Sequence, residues 1–137
     1  MLIRLIYYSK VGNIKGIYEI NEILEKSKVN NAKLSVTGML FFDEKYFIQV
    51  LEGNRDQVSE LMLKIAKDER HHDVVLVDIS EISSRKFTKW NMVYAGGAQI
   101  DNKDLMQFSP SESFDPSRLT KNNFVDMINF IYDNVKK

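Results

Sequence analysis

Tyr46-Phe47-Ile48-Gln49-Val50-Leu51-Glu52-Gly53 is the stretch on which the fold turns. Alternate side chains of a strand face opposite sides, so Phe47, Gln49 and Leu51 share one face and Ile48 and Val50 the other. Both faces are apolar, which predicts an interior strand covered on both sides. One amide, Gln49, breaks the core pattern. Upstream, Val36 to Phe42 followed by the polar turn Asp43-Glu44-Lys45 makes this strand the second arm of a hairpin. Farther upstream, residues 2–8 alternate in the same way, with Ile3, Leu5 and Tyr7 on one face and Ile6 and Tyr8 on the other. The Ser-Lys-Val-Gly-Asn run at 9–13 reads as the loop that closes this first strand.

Helical periodicity fills the intervals. Ile17, Ile20, Ile23 and Leu24 predict a helix from about Gly16 to Lys28 that ends near Asn30-Asn31. Asn54 with Gln57 three residues on predicts a capped start for a second helix, whose apolar stripe is Val58, Leu61, Met62, Ile65 and Ala66. Val74 to Ile79 reads as a buried strand and Lys89 to Ala95 as another, with Ser83-Ser84-Arg85-Lys86 a solvated loop between them. The order βαββαββ predicts an α+β, ferredoxin-like sheet with both helices on one face. Ile6, Tyr8, Ile48 and Val50 on the opposite face are too apolar to stay wet. An amphipathic helix at about 120–135, with Phe124, Val125, Ile128, Ile131 and Tyr132, or else a second subunit, is the expected cover. The expected division is residues 1–95 as one domain and 96–137 as a C-terminal extension of linker and helix.

Composition narrows the function. With 137 residues, 44% of them hydrophobic, the chain can bury one core without metal or disulfide staples. It has no cysteine, which excludes disulfides, thiol nucleophiles and Cys-ligated metal. Its 19 Lys+Arg balance 19 Asp+Glu, against the one-sided basic charge of a protein that grips nucleic-acid phosphates. No stretch approaches the ~20 apolar residues of a membrane span, so the expectation is a soluble, cytoplasmic protein. His71-His72-Asp73 has no third ligand spaced near it and is read as a helix C-terminal cap that complements the helix dipole, not as a metal site.

Two polar features mark where chemistry can sit. Gln49 is an amide at a core-facing position and must be hydrogen-bonded, since leaving it unpaired costs about 1–3 kcal/mol. Taken alone, it can be satisfied by a loop carbonyl or a water, and Asn30-Asn31 can be turn residues after the first helix. Together with Tyr7 they supply a phenol and three amides near the space between the two helices. Such a set suits a flat heteroaromatic ring bearing carbonyls and ring nitrogens, with Ile23 and Ile65 as aliphatic walls for its faces.

These residues also carry a resemblance. Arg-Leu-Ile-Tyr-Tyr-Ser (4–9), Asn-Asn with Thr-Gly-Met-Leu-Phe five residues on (30–41), Phe-Ile-Gln-Val-Leu-Glu-Gly (47–53), Lys-Asp-Glu-Arg-His-His (67–72) and Trp-Asn-Met (90–92) closely resemble the BLUF family of blue-light sensors using flavin adenine dinucleotide. The resemblance spans about residues 1–95, and it implies non-covalently bound FAD and a light response. It makes Tyr7 the photoactive tyrosine and Gln49 the switching glutamine. It makes Asn31 the amide at the flavin C4 carbonyl edge, Asn30 its neighbour at the pyrimidine end, and Trp90 and Met92 the pair that passes the change outward. Without it, Trp90 and Met92 are ordinary core residues of an inner strand. Lys64 stands near the flavin's C2 side, where many relatives carry Arg, with Asp68 one turn on; the charge is kept but a planar fork is lost.

The implied mechanism gives Tyr7 an electron and then a proton to yield. Gln49 relays them and ends rotated or tautomerised, with an added donor at the C4 carbonyl shifting absorption to the red. With no thiol available, such photochemistry has to run through hydrogen bonds. The expected protein is not an enzyme and signals to an unidentified protein in trans through the last strand and the C-terminal helix, and it is expected to be a homo-oligomer. Residues 96–137 are too few for an effector domain. Coupling is expected through the fifth strand into a Gly96-Gly97 hinge. Alternatives on this topology are an RRM-like RNA-binding module, though the RNP1 pattern is missing, and a small enzyme such as an acylphosphatase, though no phosphate cradle is present.

Overall fold

The computed structural model describes residues 1–12, 17–43, 45–69, 71–88, 93–96, 100, 102–110 and 114–135. The elements run β1 (Leu2–Val11), α1 (Ile17–Lys33), β2 (Thr37–Phe42), β3 (Tyr46–Asn54), α2 (Arg55–Lys67), β4 (His71–Glu81), β5 (Val93–Gly96), α3 (Asn102–Met106), a 3-10 turn (Pro116–Arg118) and α4 (Lys121–Val135). The sheet order is β4-β1-β3-β2-β5. The first four strands are antiparallel to their neighbours, as in a ferredoxin-like sheet, and β5 adds parallel to β2.

The period-two reading of the strands holds. Ile3, Leu5, Tyr7, Phe47 and Leu51 join Ile23, Val58, Leu61 and Met62 in one core between the sheet and helices α1 and α2. Ile6, Met39, Phe41, Ile48 and Val50 join Phe124, Met127, Ile128 and Ile131 in a second core under α4. The C-terminal helix therefore covers the far face of the sheet. Its first turn is closed reciprocally, with Asn123 N–H donating to Thr120 Oγ1 and Thr120 N–H to Asn123 Oδ1, both at 3.1 Å. Covering this face also removes the open platform on which an RRM stacks bases.

Several expectations need correction. β1 does not stop at Tyr8: Lys10 still pairs with Tyr46 on one side and His72 on the other, so the ladder carries it to Val11. α1 continues to Lys33, which puts Asn30 and Asn31 inside its last turn; the reversal comes at Ser35, whose φ is 56°, with Val36 N–H donating to Asn31 O at 2.9 Å. Asn54 occupies the N-cap of α2 but its side chain makes no cap bond. β4 is an edge strand, not a buried one, and Leu76 and Ile79 are 52% and 55% exposed. His71 and His72 open β4 and cap no helix. Of the strand expected at 89–95 the structure describes Val93 onward; Trp90 and Met92 lie outside the described residues, as does Gly97.

The loop at 83–86 is pinned, not free. Arg85 donates to Ser35 O (2.8 Å), Thr37 Oγ1 (3.0 Å) and Glu52 O (3.3 Å). Glu52, fully buried on the α4 face of β3, pairs with Arg4 at 2.6 Å and accepts from the backbone N–H groups of Lys86 and Phe87 at 2.9 and 2.8 Å. A buried carboxylate is tolerable only when its lone pairs are used in this way.

Candidate functional site

Strand register brings the first two candidate residues together. Tyr7 and Gln49 lie directly opposite each other in the β1–β3 ladder, and both point toward the helices. The Tyr7 hydroxyl donates to Gln49 Oε1. Tyr7 is wholly buried, and burial pushes its phenol far above the ordinary range, with the negative charge of Asp68 adding to the shift. The phenol is thus un-ionised at any physiological pH and keeps its proton, directed at Gln49 Oε1.

Gln49 is the floor of a cavity of about 260 Å³ between α1 and α2. Ile23, Lys26, Ser27, Asn30 and Asn31 form the α1 wall; Leu61, Lys64, Ile65 and Asp68 form the α2 wall; His71 closes the end. Eight of the ten candidates, Ile23, Asn30, Asn31, Gln49, Lys64, Ile65, Asp68 and Tyr7, therefore sit in or directly behind one cavity. Tyr7 is the one behind: it does not line the space but reaches it through Gln49. Trp90 and Met92 fall outside the described residues. Lys26, Asn30 and Lys64 are exposed at the rim, while Ile23 and Asn31 are buried.

Asn31 is the site's open valence. It is 1% exposed, and its Nδ2 meets no acceptor. A buried donor left in this state is costly, and its place on the wall of a cavity means that a ligand carbonyl can complete it. An isoalloxazine ring carries such carbonyls, and the aliphatic faces of Ile23 and Ile65 suit its flat surface. The cavity lies just under the ~300–1,000 Å³ of typical ligand pockets, room for a ring system but not for a whole dinucleotide. FAD therefore fits by its ring, with the remainder beyond the rim.

A second concavity, about 390 Å³, lies against Tyr8, Lys10, Tyr46, Asp73 and Asp115. Its charged groups already have partners: Lys10 pairs with Asp73 at 3.3 Å, and Asp115 accepts from Ser117 Oγ at 2.6 Å. Tyr8, on the opposite face from Tyr7 as the alternation requires, stacks on Phe124 of α4 at 5.8 Å. No cluster of three or more metal-ligating side chains occurs among the described residues, and no described helix is long and apolar enough to cross a membrane.

Sequence reasoning missed His71. Its ring lines the cavity, its Nδ1 lies 2.9 Å from Ser9 Oγ, and it packs 4.5 Å from the Phe47 ring and edge-on to Tyr7 at 6.3 Å. The signal was hidden because an irregularity in β4, at Asp73 with φ 50°, shifts the alternation that would have placed it.

Comparison with known proteins identifies the family. The family model for sensors of blue light using FAD, BLUF, matches residues 2–93. The photoactivated adenylate cyclase subunit beta of Euglena longa is 35% identical over 95 residues, 69% of this chain and 11% of that protein. The blue light- and temperature-regulated antirepressor BluF of Escherichia coli K12 is 33% identical over 107 residues, 78% of this chain and 27% of its own length. The chain thus spans about a tenth to a quarter of these two relatives. Among solved structures, the ground state of BlsA superposes with a TM-score of 0.85 at 26% identity, covering 96% of this chain and 87% of that one. The dark state of BlrB gives 0.68 at 31% identity, covering 80% and 79%. With the family model covering two thirds of its length, and with a phenol–amide pair at the floor of a ring-sized cavity, this chain belongs to the BLUF family of blue-light sensors that use FAD.

Proposed function

We propose that Tyr7 and Gln49 are the photoactive pair of this blue-light sensor, and that the chain signals to a downstream protein in trans instead of turning over a substrate. FAD bound non-covalently supplies the blue absorption and, once excited, a strong demand for an electron. Asn31 Nδ2 is assigned to a ring carbonyl, with Asn30 beside it, Ile23 and Ile65 against the ring faces, and Lys64, Lys26 and Asp68 toward the rim.

The residues' own chemistry follows from the hydrogen bond they share. A phenol that gives up an electron becomes a strong acid, and the Tyr7 proton then has Gln49 Oε1 as its nearest base. Because an amide has a donor end and an acceptor end, a proton arriving at Oε1 forces a choice between rotation and a tautomer shift. Return of both the electron and a proton restores the phenol and leaves the amide rearranged. Burial of Tyr7 keeps that proton in place beforehand.

Residues 1–95 are assigned the sensor and 96–137 the output, with Trp90 and Met92 leading into β5 as the relay and α4 as the responding element. A protein partner is supported by the antirepressor relative, whose name describes action on a repressor system. We place the protein in the cytoplasm as a homo-oligomer, with no direct hold on nucleic acid or membrane. The observation that carries the reading is the Tyr7–Gln49 bond at the floor of the cavity where Asn31 Nδ2 is unpaired. Its test is an absorption spectrum of the FAD-loaded protein before and after blue light. A reversible red shift is expected, lost in Tyr7→Phe and Gln49→Leu; a Tyr7→Phe protein that keeps the full shift overturns the assignment.

A further inference from the structure

We propose that His71 is a positioning residue for the Tyr7–Gln49 pair, and that the protonation of its ring, held on Ser9, sets how fast the light-rearranged pair returns to its dark arrangement. The inference rests on the assignment of Tyr7 and Gln49 made above. His71 opens β4 opposite Val11 and faces the helices. Its Nδ1 lies 2.9 Å from the hydroxyl of Ser9, a wholly buried residue two positions along β1 from Tyr7 and therefore on the same face. The ring sits 4.5 Å from Phe47, meets the Tyr7 ring edge-on at 6.3 Å, and lines the cavity beside Gln49. The one imidazole at the described cavity wall therefore touches both strands that carry the photoactive pair.

A serine hydroxyl can donate or accept, so Ser9 holds the ring in either charge state and only the direction of the bond reverses. Gain of a proton then changes the charge beside Tyr7 without changing the packing. A cation there acts unequally on the dark and the rearranged arrangement of the Gln49 amide dipole, and so changes the barrier between them. Imidazole is the side chain that ordinarily makes this change near neutral pH. The other charged or titratable groups around it among the described residues are Lys64 of α2, Asp68 at its C-cap and Lys26 of α1, which line the same cavity, and Tyr7 of β1, whose ring it meets. The Asp68 backbone carbonyl also accepts from His71 N–H at 3.1 Å.

The test is the decay of the red-shifted absorbance after a blue flash, followed from about pH 5 to pH 8, in the parent and in His71→Phe, His71→Gln and Ser9→Ala. The parent rate is expected to change by about tenfold along a one-proton curve, a fraction of the effect between two unit charges at this distance because the charge acts on an amide dipole. His71→Phe should keep the red shift and lose the pH dependence. His71→Gln should be equally flat but nearer the alkaline parent rate, because its amide can still bond Ser9. Ser9→Ala and His71→Phe should not add. A flat parent profile overturns the inference, as does a His71→Phe or His71→Gln protein that keeps the parent profile; if the phenylalanine variant does not hold FAD, the glutamine variant decides alone. Tyr7→Phe, run beside them, separates the two claims: a persisting red shift there sinks the photoactive assignment, whereas the histidine variants bear only on positioning.

Discussion

Replacing Asn31 by leucine, a side chain of similar size, should separate the folding of this protein from its hold on FAD. Asn31 Nδ2 is buried without an acceptor, while the Asn31 backbone carbonyl, which takes the Val36 N–H, is untouched by the substitution. An unpaired buried donor costs about 1–3 kcal/mol, so the FAD-free variant should be no less stable than the parent and up to that much more stable. With FAD bound the sign reverses. The donor that completed a ring carbonyl is gone, and the carbonyl is itself left buried and unpaired, again about 1–3 kcal/mol, which is roughly 5- to 150-fold in Kd. The assay is a pair of thermal or urea melts without FAD and a fluorescence titration with it. Because a ligand stabilises in proportion to RT ln(1 + [L]/Kd), the variant should also gain less Tm from excess FAD than the parent does. A variant that binds FAD within about twofold of the parent, or whose FAD-free form loses more than about 2 kcal/mol, refutes the reasoning, because Nδ2 then had a partner within the protein and not in the ligand.

Three further outcomes follow. The raised Tyr7 phenol should make stability fall with pH above about 10: the unfolded chain ionises this phenol and the folded one does not, so the unfolded state binds fewer protons and the slope is negative, approaching about 1.4 kcal/mol per pH unit. Tyr7→Phe should remove that increment from urea melts between pH 9 and pH 11, and an unchanged slope counts against a buried, protonated phenol. Gly38→Ala should cost about 3 kcal/mol or more, because a Cβ there would stand 1.9 Å from the Val50 carbonyl oxygen and push β2 off β3; Gly53→Ala, with nothing nearer than 3.3 Å, should cost far less, and the reverse order in melts would contradict the strand register. Leu76→Lys on the open edge of β4 should change stability by no more than about 0.5 kcal/mol, whereas Ile48→Lys in the second core should prevent folding; equal damage from both would mean that β4 is covered.

The parts of this fold legible in the sequence are those governed by local alternation. Tyr7, Gln49 and the two sets of core residues follow from a period of two in β1 and β3, and the helix positions Ile23 and Ile65 from a period near four. What could not be read depended on distant partners. Val74-Val75-Leu76-Val77 has the composition of a strand buried on both faces, yet its position at the end of the β4-β1-β3-β2-β5 order leaves it at an edge, and composition holds no record of that order. The length of α1 was set by the reversal at Ser35, whose left-handed backbone is not a residue-type signal. Arg85 and Lys86 read as a solvated loop because the carboxylate that recruits the loop backbone, Glu52, is more than thirty residues away in the chain. His71 was hidden by the break in alternation that puts it opposite Val11 while His72 stands opposite Lys10.

β3 faces the candidate site on one side and the α4 core on the other, and this bears on how a change at Gln49 can travel. Gln49 faces the cavity, while its neighbours Ile48 and Val50 pack in the core under α4. Three residues on, Glu52 clamps Arg4 of β1 and the backbone of Lys86 and Phe87 in one fully buried carboxylate. Phe87 in turn meets Tyr132 of α4 edge-on at 4.8 Å, and Lys86 Nζ bonds Asn129 Oδ1 on the same helix. A close-packed interior does not absorb a shifted strand locally, so displacement of β3 is felt at the α4 interface across the thickness of one sheet. The segment that leaves the Glu52 clamp is also the one that leads to Trp90, Met92 and β5. β3 and the 86–87 segment therefore meet the same helix from two directions, and a shift of β3 by a fraction of an ångström reaches α4 through both.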